Sequence, residues 1–163
     1  MKKNPSFPGV RFTLGEVYYN EADYANAEKE LRRVLAEDPN HPKANYYLGD
    51  ILIKNNRISE AEPVLKVAVA ADPGFMEGYF LLARCDAEQG KLQDAIELLT
   101  KAAELKPNNK NVHYQLAQIY SRLKEPAKAQ EHMQTFEKLY AEERKRKTER
   151  LEELREKAMS AKE

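Results

Sequence analysis

A chain of 163 residues with 27 Lys+Arg against 27 Asp+Glu has no net charge, so the basic excess that usually accompanies nucleic-acid binding is missing. Its 42% hydrophobic and 33% charged residues suit helices laid over a modest core, not a disordered chain. The lone Cys85 excludes an internal disulfide; the start MKKNPSFPGV has no apolar stretch of a secretory signal, and no run reaches the roughly 18 apolar residues of a membrane span, leaving the cytoplasm as the default compartment.

Residues 1–7 read as a lead-in, with Pro8 placed to open a helix at its first position. Apolar residues then recur at Val10, Leu14, Val17 and Tyr18. After the turn Glu21-Ala22-Asp23 they recur at Ala27, Leu31 and Val34, the helical period both times. Pro39 ends this second helix, since proline has no amide hydrogen to continue the ladder. The pattern restarts at Pro42 with KANYYLGDILIKNN, turns at Asn55-Asn56-Arg57 and continues as ISEAEPVLKVAVAADPG. There Ser59 and Glu62 have the spacing of a capping box, and Pro63 sits just past the first turn. A third copy runs from Met76 to Asn109 with its turn at Glu88-Gln89-Gly90-Lys91, and a fourth begins at Lys110 and turns at Glu125-Pro126.

The copies occupy 8–41, 42–75, 76–109 and 110–143, a period of 34 residues marked by Pro39, Pro73 and Pro107. Columns across them have physical meaning. Leu14, Leu48, Leu82 and Leu116 are followed by Gly15, Gly49, Ala83 and Ala117; Ala27, Ala61, Ala95 and Ala129 form another small column, and Leu31, Leu65, Leu99 and Met133 a large one. Small residues let paired helices approach, while large ones fill the space between pairs. A single pair cannot bury its own apolar face, so stacking must supply the core.

Over residues 8–143 this pattern resembles the tetratricopeptide repeat (TPR) family. The resemblance implies an all-α, right-handed solenoid of four helix-turn-helix hairpins whose first helices line a concave groove for a peptide or protein segment. At the groove positions of the family this chain carries Phe12, Tyr46, Phe80 and Tyr114, with Glu16, Asp50, Arg84 and Gln118 one helical turn on. An aromatic ladder is rigid amphipathic contact area; the competing reading is that the rings serve local packing. The carboxylate clamp of many chaperone-binding members needs Lys, Asn, Asn, Lys and Arg. The corresponding positions hold Phe12, Glu16, Tyr47, Glu77 and Leu81, or one repeat later Tyr46, Asp50, Leu81, Asn111 and Gln115, so that clamp is absent.

The fourth copy has Ala141 where the others have proline, and residues 144–163 form a charged extension without a helix breaker. The last helix is therefore expected to run from near Ala127 to about Met159, supported by the i, i+4 pairs Glu142–Arg146, Glu143–Lys147 and Glu153–Lys157. Leu151, Leu154 and Ala158 return as a short apolar stripe, which reads either as part of a solvated capping helix or as a surface on which copies of the chain pair.

No chemistry is legible beyond this. His41, His113 and His132 have no metal-ligand spacing and read as a scattered surface trio. There is no glycine-rich phosphate loop or nucleophile elbow, so no cofactor is expected. Cys85 falls in the column of Val17, Ile51 and Ile119 and reads as core, while Asp86 interrupts the column of Tyr18, Leu52 and Tyr120 and needs a partner, with Arg84 nearest in sequence. The expected function is a binding scaffold for a protein or peptide; self-association through repeat ends or the last helix comes second, and an enzyme is the least supported reading.

Overall fold

The computed structural model describes residues 8–160, so the lead-in 1–7 and the last three residues of the extension lie outside the described residues. The described residues form eight helices: α1 Pro8–Asn20, α2 Tyr24–Glu37, α3 Pro42–Lys54, α4 Ile58–Ala71, α5 Met76–Glu88, α6 Leu92–Leu105, α7 Lys110–Arg122 and α8 Pro126–Ser160. No strand occurs among them. No helix of the described residues is long and apolar enough to cross a membrane.

Two compact units divide the chain after Lys106. In the first, the hairpins α1–α2, α3–α4 and α5–α6 stack in order, with α2 against α3 and α4 against α5. The second is the hairpin of α7 on α8.

Every hairpin turns by the same device. Ala22, Asn56, Gly90 and Lys124, each 34 residues on, take a left-handed backbone with φ of 60°, 59°, 81° and 59°. One residue later the amide of Asp23, Arg57, Lys91 or Glu125 donates back to the carbonyl of Tyr18, Leu52, Asp86 or Tyr120 at 2.8–2.9 Å. These bonds satisfy carbonyls that a helix end leaves without partners, as in a Schellman motif. In the fourth turn the left-handed residue is Lys124, one position before the expected Glu125. Glycine fills this position only at Gly90; the other three turns hold a residue with a Cβ in the left-handed region, a strain of about 1–2 kcal/mol.

The expected capping box at Ser59 and Glu62 does not form. Helix α4 begins at Ile58, with Arg57 as its N-cap and no side-chain cap bond, which leaves Ser59 already inside the first turn. Glu62 points elsewhere, to Lys66, Gln89 and Lys91. Pro63 stays within α4.

In the first unit one buried cluster joins Ala27, Leu31, Val34, Ala44 and Ile51, and a second joins Leu48, Leu52, Ile53, Ala61, Leu65, Leu81, Leu82 and Cys85. Burial of this kind yields about 25 cal/mol per Å² of apolar surface and dominates the stability of such a stack. The glycines follow from close helix approach. A Cβ on Gly49 would lie 2.5 Å from Leu65 Cγ, and one on Gly78 would lie 2.9 Å from Val69 Cγ1.

Ion pairs repeat with the period as well. Arg57, at the α3–α4 turn, reaches back to Glu28 of α2 at 2.9 Å. Lys91, at the α5–α6 turn, reaches back to Glu62 of α4 at 3.0 Å. Asp86 is buried as the interrupted column implied, but its cation is Lys91, 3.7 Å away, and not Arg84. The reason is the turn bond, which brings Lys91 over the end of α5.

Candidate binding surface

Helices α1, α3 and α5 carry six of the eight expected surface residues, all within the first unit. Phe12 lies with its ring centroid 4.6 Å from His41 and 6.1 Å from Tyr47. Tyr46 is held edge-on between Tyr47 at 5.3 Å and Phe75 at 5.0 Å. Tyr46 and Phe80 are half-buried and rest on the same cluster of Leu48, Leu52, Leu81 and Leu82. Each ring is therefore seated against the core and still partly accessible, so it is held in place before any ligand arrives.

The carboxylates are held as firmly. Asp50 is buried; the Tyr19 hydroxyl donates to it, and the Lys54 ammonium pairs with the same oxygen. Lys54 also lies 5.3 Å from the centre of the Tyr19 ring and 5.8 Å from that of Tyr24, within cation–π range. Burial first, and then the bond to Asp50, push the Tyr19 hydroxyl well above the usual tyrosine range. Tyr46 is pushed up to about 12, again by burial first and then by the negative charge of Asp50. Glu16 is half-buried beside Tyr47, whose hydroxyl is raised by burial first and then by that carboxylate. All three tyrosines stay neutral hydrogen-bonding groups across the physiological range.

Sequence reading named Phe12, Glu16, Tyr46 and Asp50, and the structure gathers them on α1 and α3. It did not find the partners that orient them: Tyr19 and Tyr47 were missed, although Asp50 and Lys54 at i, i+4 were a legible pair. Tyr19 stands 31 residues from Asp50, and no local spacing announces that contact. Arg84 is half-buried on α5. Tyr114 and Gln118 belong to the second unit, where Tyr114 is 40% exposed and its ring lies 5.3 Å from Phe136. Gln118 is exposed.

Another crevice of the first unit, about 310 Å³, is lined by charged groups that include Glu62, Lys66, Asp86 and Lys91. Three hydrogen bonds, from Lys66, Gln89 and Lys91, hold the Glu62 carboxyl down at about 2. Asp86 is raised instead, because its burial outweighs the attraction of Lys91. Cys85, beside it, is pushed up to about 12 by burial, so it is a thiol and not a nucleophile.

In the second unit, the long helix α8 reaches Ser160, as the missing breaker implied. Lys110 pairs with Glu143, and Lys147 with the same carboxylate at 2.6 Å. Arg146 meets the backbone carbonyl of Glu142 at 3.4 Å. Leu151, Leu154 and Ala158 are all exposed, as is Met159.

The histidines are not a scattered trio. His41 caps α3, its Nδ1 accepting from the Ala44 amide at 3.2 Å. His113 and His132 face each other across α7 and α8 with their Nδ1 atoms 3.2 Å apart. Their positions, 19 residues apart on different helices, gave no spacing signal.

A sequence profile described as tetratricopeptide repeat matches residues 19–85 and 86–144. No curated protein sequence matches the chain. Among solved structures, MamA residues 41 to the end from Desulfovibrio magneticus RS-1 is 30% identical, over 83% of this chain and 76% of that one, with a TM-score of 0.76. YrrB, a TPR protein with an unusual peptide-binding site, is 23% identical over 83% and 70%, with a TM-score of 0.74. The first TPR of Spaghetti (RPAP3), bound to the HSP90 peptide SRMEEVD, is 21% identical over 74% and 95%, with a TM-score of 0.69. The last two likenesses are of fold alone.

Proposed function

The chain belongs to the tetratricopeptide repeat family, and we propose that it is a protein-interaction scaffold that holds a peptide or protein segment against the first helices of its hairpins. What supports the reading is the array on α1, α3 and α5: half-buried rings anchored on the core, beside the Asp50 carboxylate held by the Tyr19 hydroxyl. Aromatic anchors that lose little freedom on binding are the residues that dominate interfaces. Fold neighbours that hold peptides point the same way, YrrB by its peptide-binding site and the RPAP3 repeat by its HSP90 peptide.

The ligand chemistry differs from that of the RPAP3 complex. Where a clamp for an acidic chain end would need Asn and Lys this chain carries Glu16, Asp50 and Glu77, the last two already paired with Lys54 and Lys106, so an aromatic segment with a basic residue near Glu16 fits better than an acidic one. A peptide array probed with the chain and with the Tyr46→Ala, Phe80→Ala double variant tests this. Basic and aromatic peptides should be selected, and the double variant should lose about tenfold or more in affinity while keeping its helicity. Low-micromolar, salt-sensitive binding of SRMEEVD would overturn the assignment of ligand class.

A second reading, self-association, rests on a different observation. Val10, Leu14 and Val17 make an exposed apolar face on α1, and Leu151 and Leu154 make another on α8. Light scattering on the wild type and on Leu151→Glu with Leu154→Glu decides it. Monomers in both cases at high concentration remove this reading.

A further inference from the structure

We infer that His113 and His132 form a divalent-metal site inside the α7–α8 hairpin, one that takes a cation of the zinc, nickel and copper class through the two Nδ1 atoms. The two nitrogens lie 3.2 Å apart. Two nitrogens about 2.0–2.1 Å from a tetrahedral metal are themselves about 3.3 Å apart, so the helices already hold the ligands at chelating distance. The ring centroids are 5.4 Å apart and the ring planes inclined by 30°, so each ring has to turn to aim both lone pairs at one point.

The groups behind the rings prepare them for this. His113 Nε2 lies 3.3 Å from the Pro107 carbonyl oxygen, which can only accept, so the proton of the neutral ring sits on Nε2 and the Nδ1 lone pair is bare. That is the outer-shell arrangement by which backbone carbonyls orient metal-binding imidazoles. His132 then donates its Nδ1 proton to His113 while the site is empty. On metal binding that proton leaves Nδ1 and another adds at Nε2, so the ring stays neutral and no net charge is lost. Tyr120 stacks flat on His132, at 5.5 Å and 2°, and limits how far that ring turns. Both imidazoles are half-buried.

Among the described residues no third His, Cys, Asp or Glu joins them. The remaining coordination positions therefore go to water, and binding is of moderate strength. A bound ion would clip α7 to the start of α8, locking the hairpin that carries the long charged helix.

The test is a titration of the full chain, stripped with chelator, with zinc chloride and separately with nickel chloride at about pH 7.5. Calorimetry should show one equivalent bound with a Kd of about 100 μM or tighter. In an NMR titration, the ring resonances of His113 and His132 should move together while those of His41 stay. His113→Gln and His132→Gln should each weaken binding about tenfold or more, with His41→Gln within about twofold of wild type. Should either variant lose helicity, the wild-type ring shifts decide alone. No saturable binding up to about 1 mM, or ring shifts confined to His41, would overturn the site.

Discussion

The first and second hairpins carry the same repeat, yet equivalent residues lie in different surroundings. Leu14 is 40% exposed and Leu48 1%; Val17 is 44% exposed and Ile51 0%. The difference is a neighbour. Helix α3 is covered by α2 on one side and by α4 and α5 on the other, whereas α1 meets only α2 and the edge of α3 among the described residues. A repeat sequence therefore specifies which residues can be core, and stacking decides which of them are.

The strongest test of this contrast is truncation in the shared column. Ile51→Ala should cost about 2–5 kcal/mol, whereas Val17→Ala should stay within about 0.5 kcal/mol in denaturant unfolding. Equal losses would mean that α1 is covered in solution, which would bring the self-association reading forward. Next comes the small column. Gly49→Ala drives a methyl into Leu65 and should cost about 1–3 kcal/mol. At Gly15 the nearest atoms of Leu31 are 3.2 Å away, so the same change should cost less than about 1 kcal/mol.

The turns sharpen the comparison from the other direction. Ala22→Gly in the first hairpin and Lys124→Gly in the fourth relieve a left-handed backbone, and each should stabilise by about 0.5–1 kcal/mol. Gly90→Ala should destabilise by a similar amount, and a melting series on the three variants shows the sign. Between hairpins, Glu62→Gln probes an effect that depends on pH. Because the folded carboxyl is held at about 2 against an ordinary 4.5, its contribution is complete above pH 4.5 and disappears as pH falls toward 2. Stability curves of wild type and variant should therefore converge in acid. Curves that stay parallel down to pH 2 would show that Lys66, Gln89 and Lys91 contribute nothing through this carboxylate.

Aromatic and polar residues divide along the same line. Phe12, Tyr46 and Phe80 were legible as a column because they share a register. The network that holds Asp50 was not, since Tyr19 comes from the preceding hairpin. Lys91 displaced Arg84 as the partner of Asp86 for a related reason: a turn folds back over its helix end, and sequence distance does not measure that. The capping box at Ser59 failed because the left-handed turn at Asn56 sets where α4 starts, and the α4 register follows from it.

The amino-acid order by itself determined the eight helices, their turns and the length of α8. Each depends on periodicity, on a breaker or on its absence, all of which act within a few residues. The 34-residue repeat also determined the candidate core, because a column recurring in every copy must face the same way in every copy. Only the tertiary structure decided which column members are covered, which tyrosine holds Asp50, and that His113 meets His132. Those are contacts between side chains of different helices, and they exist only once one helix lies against another.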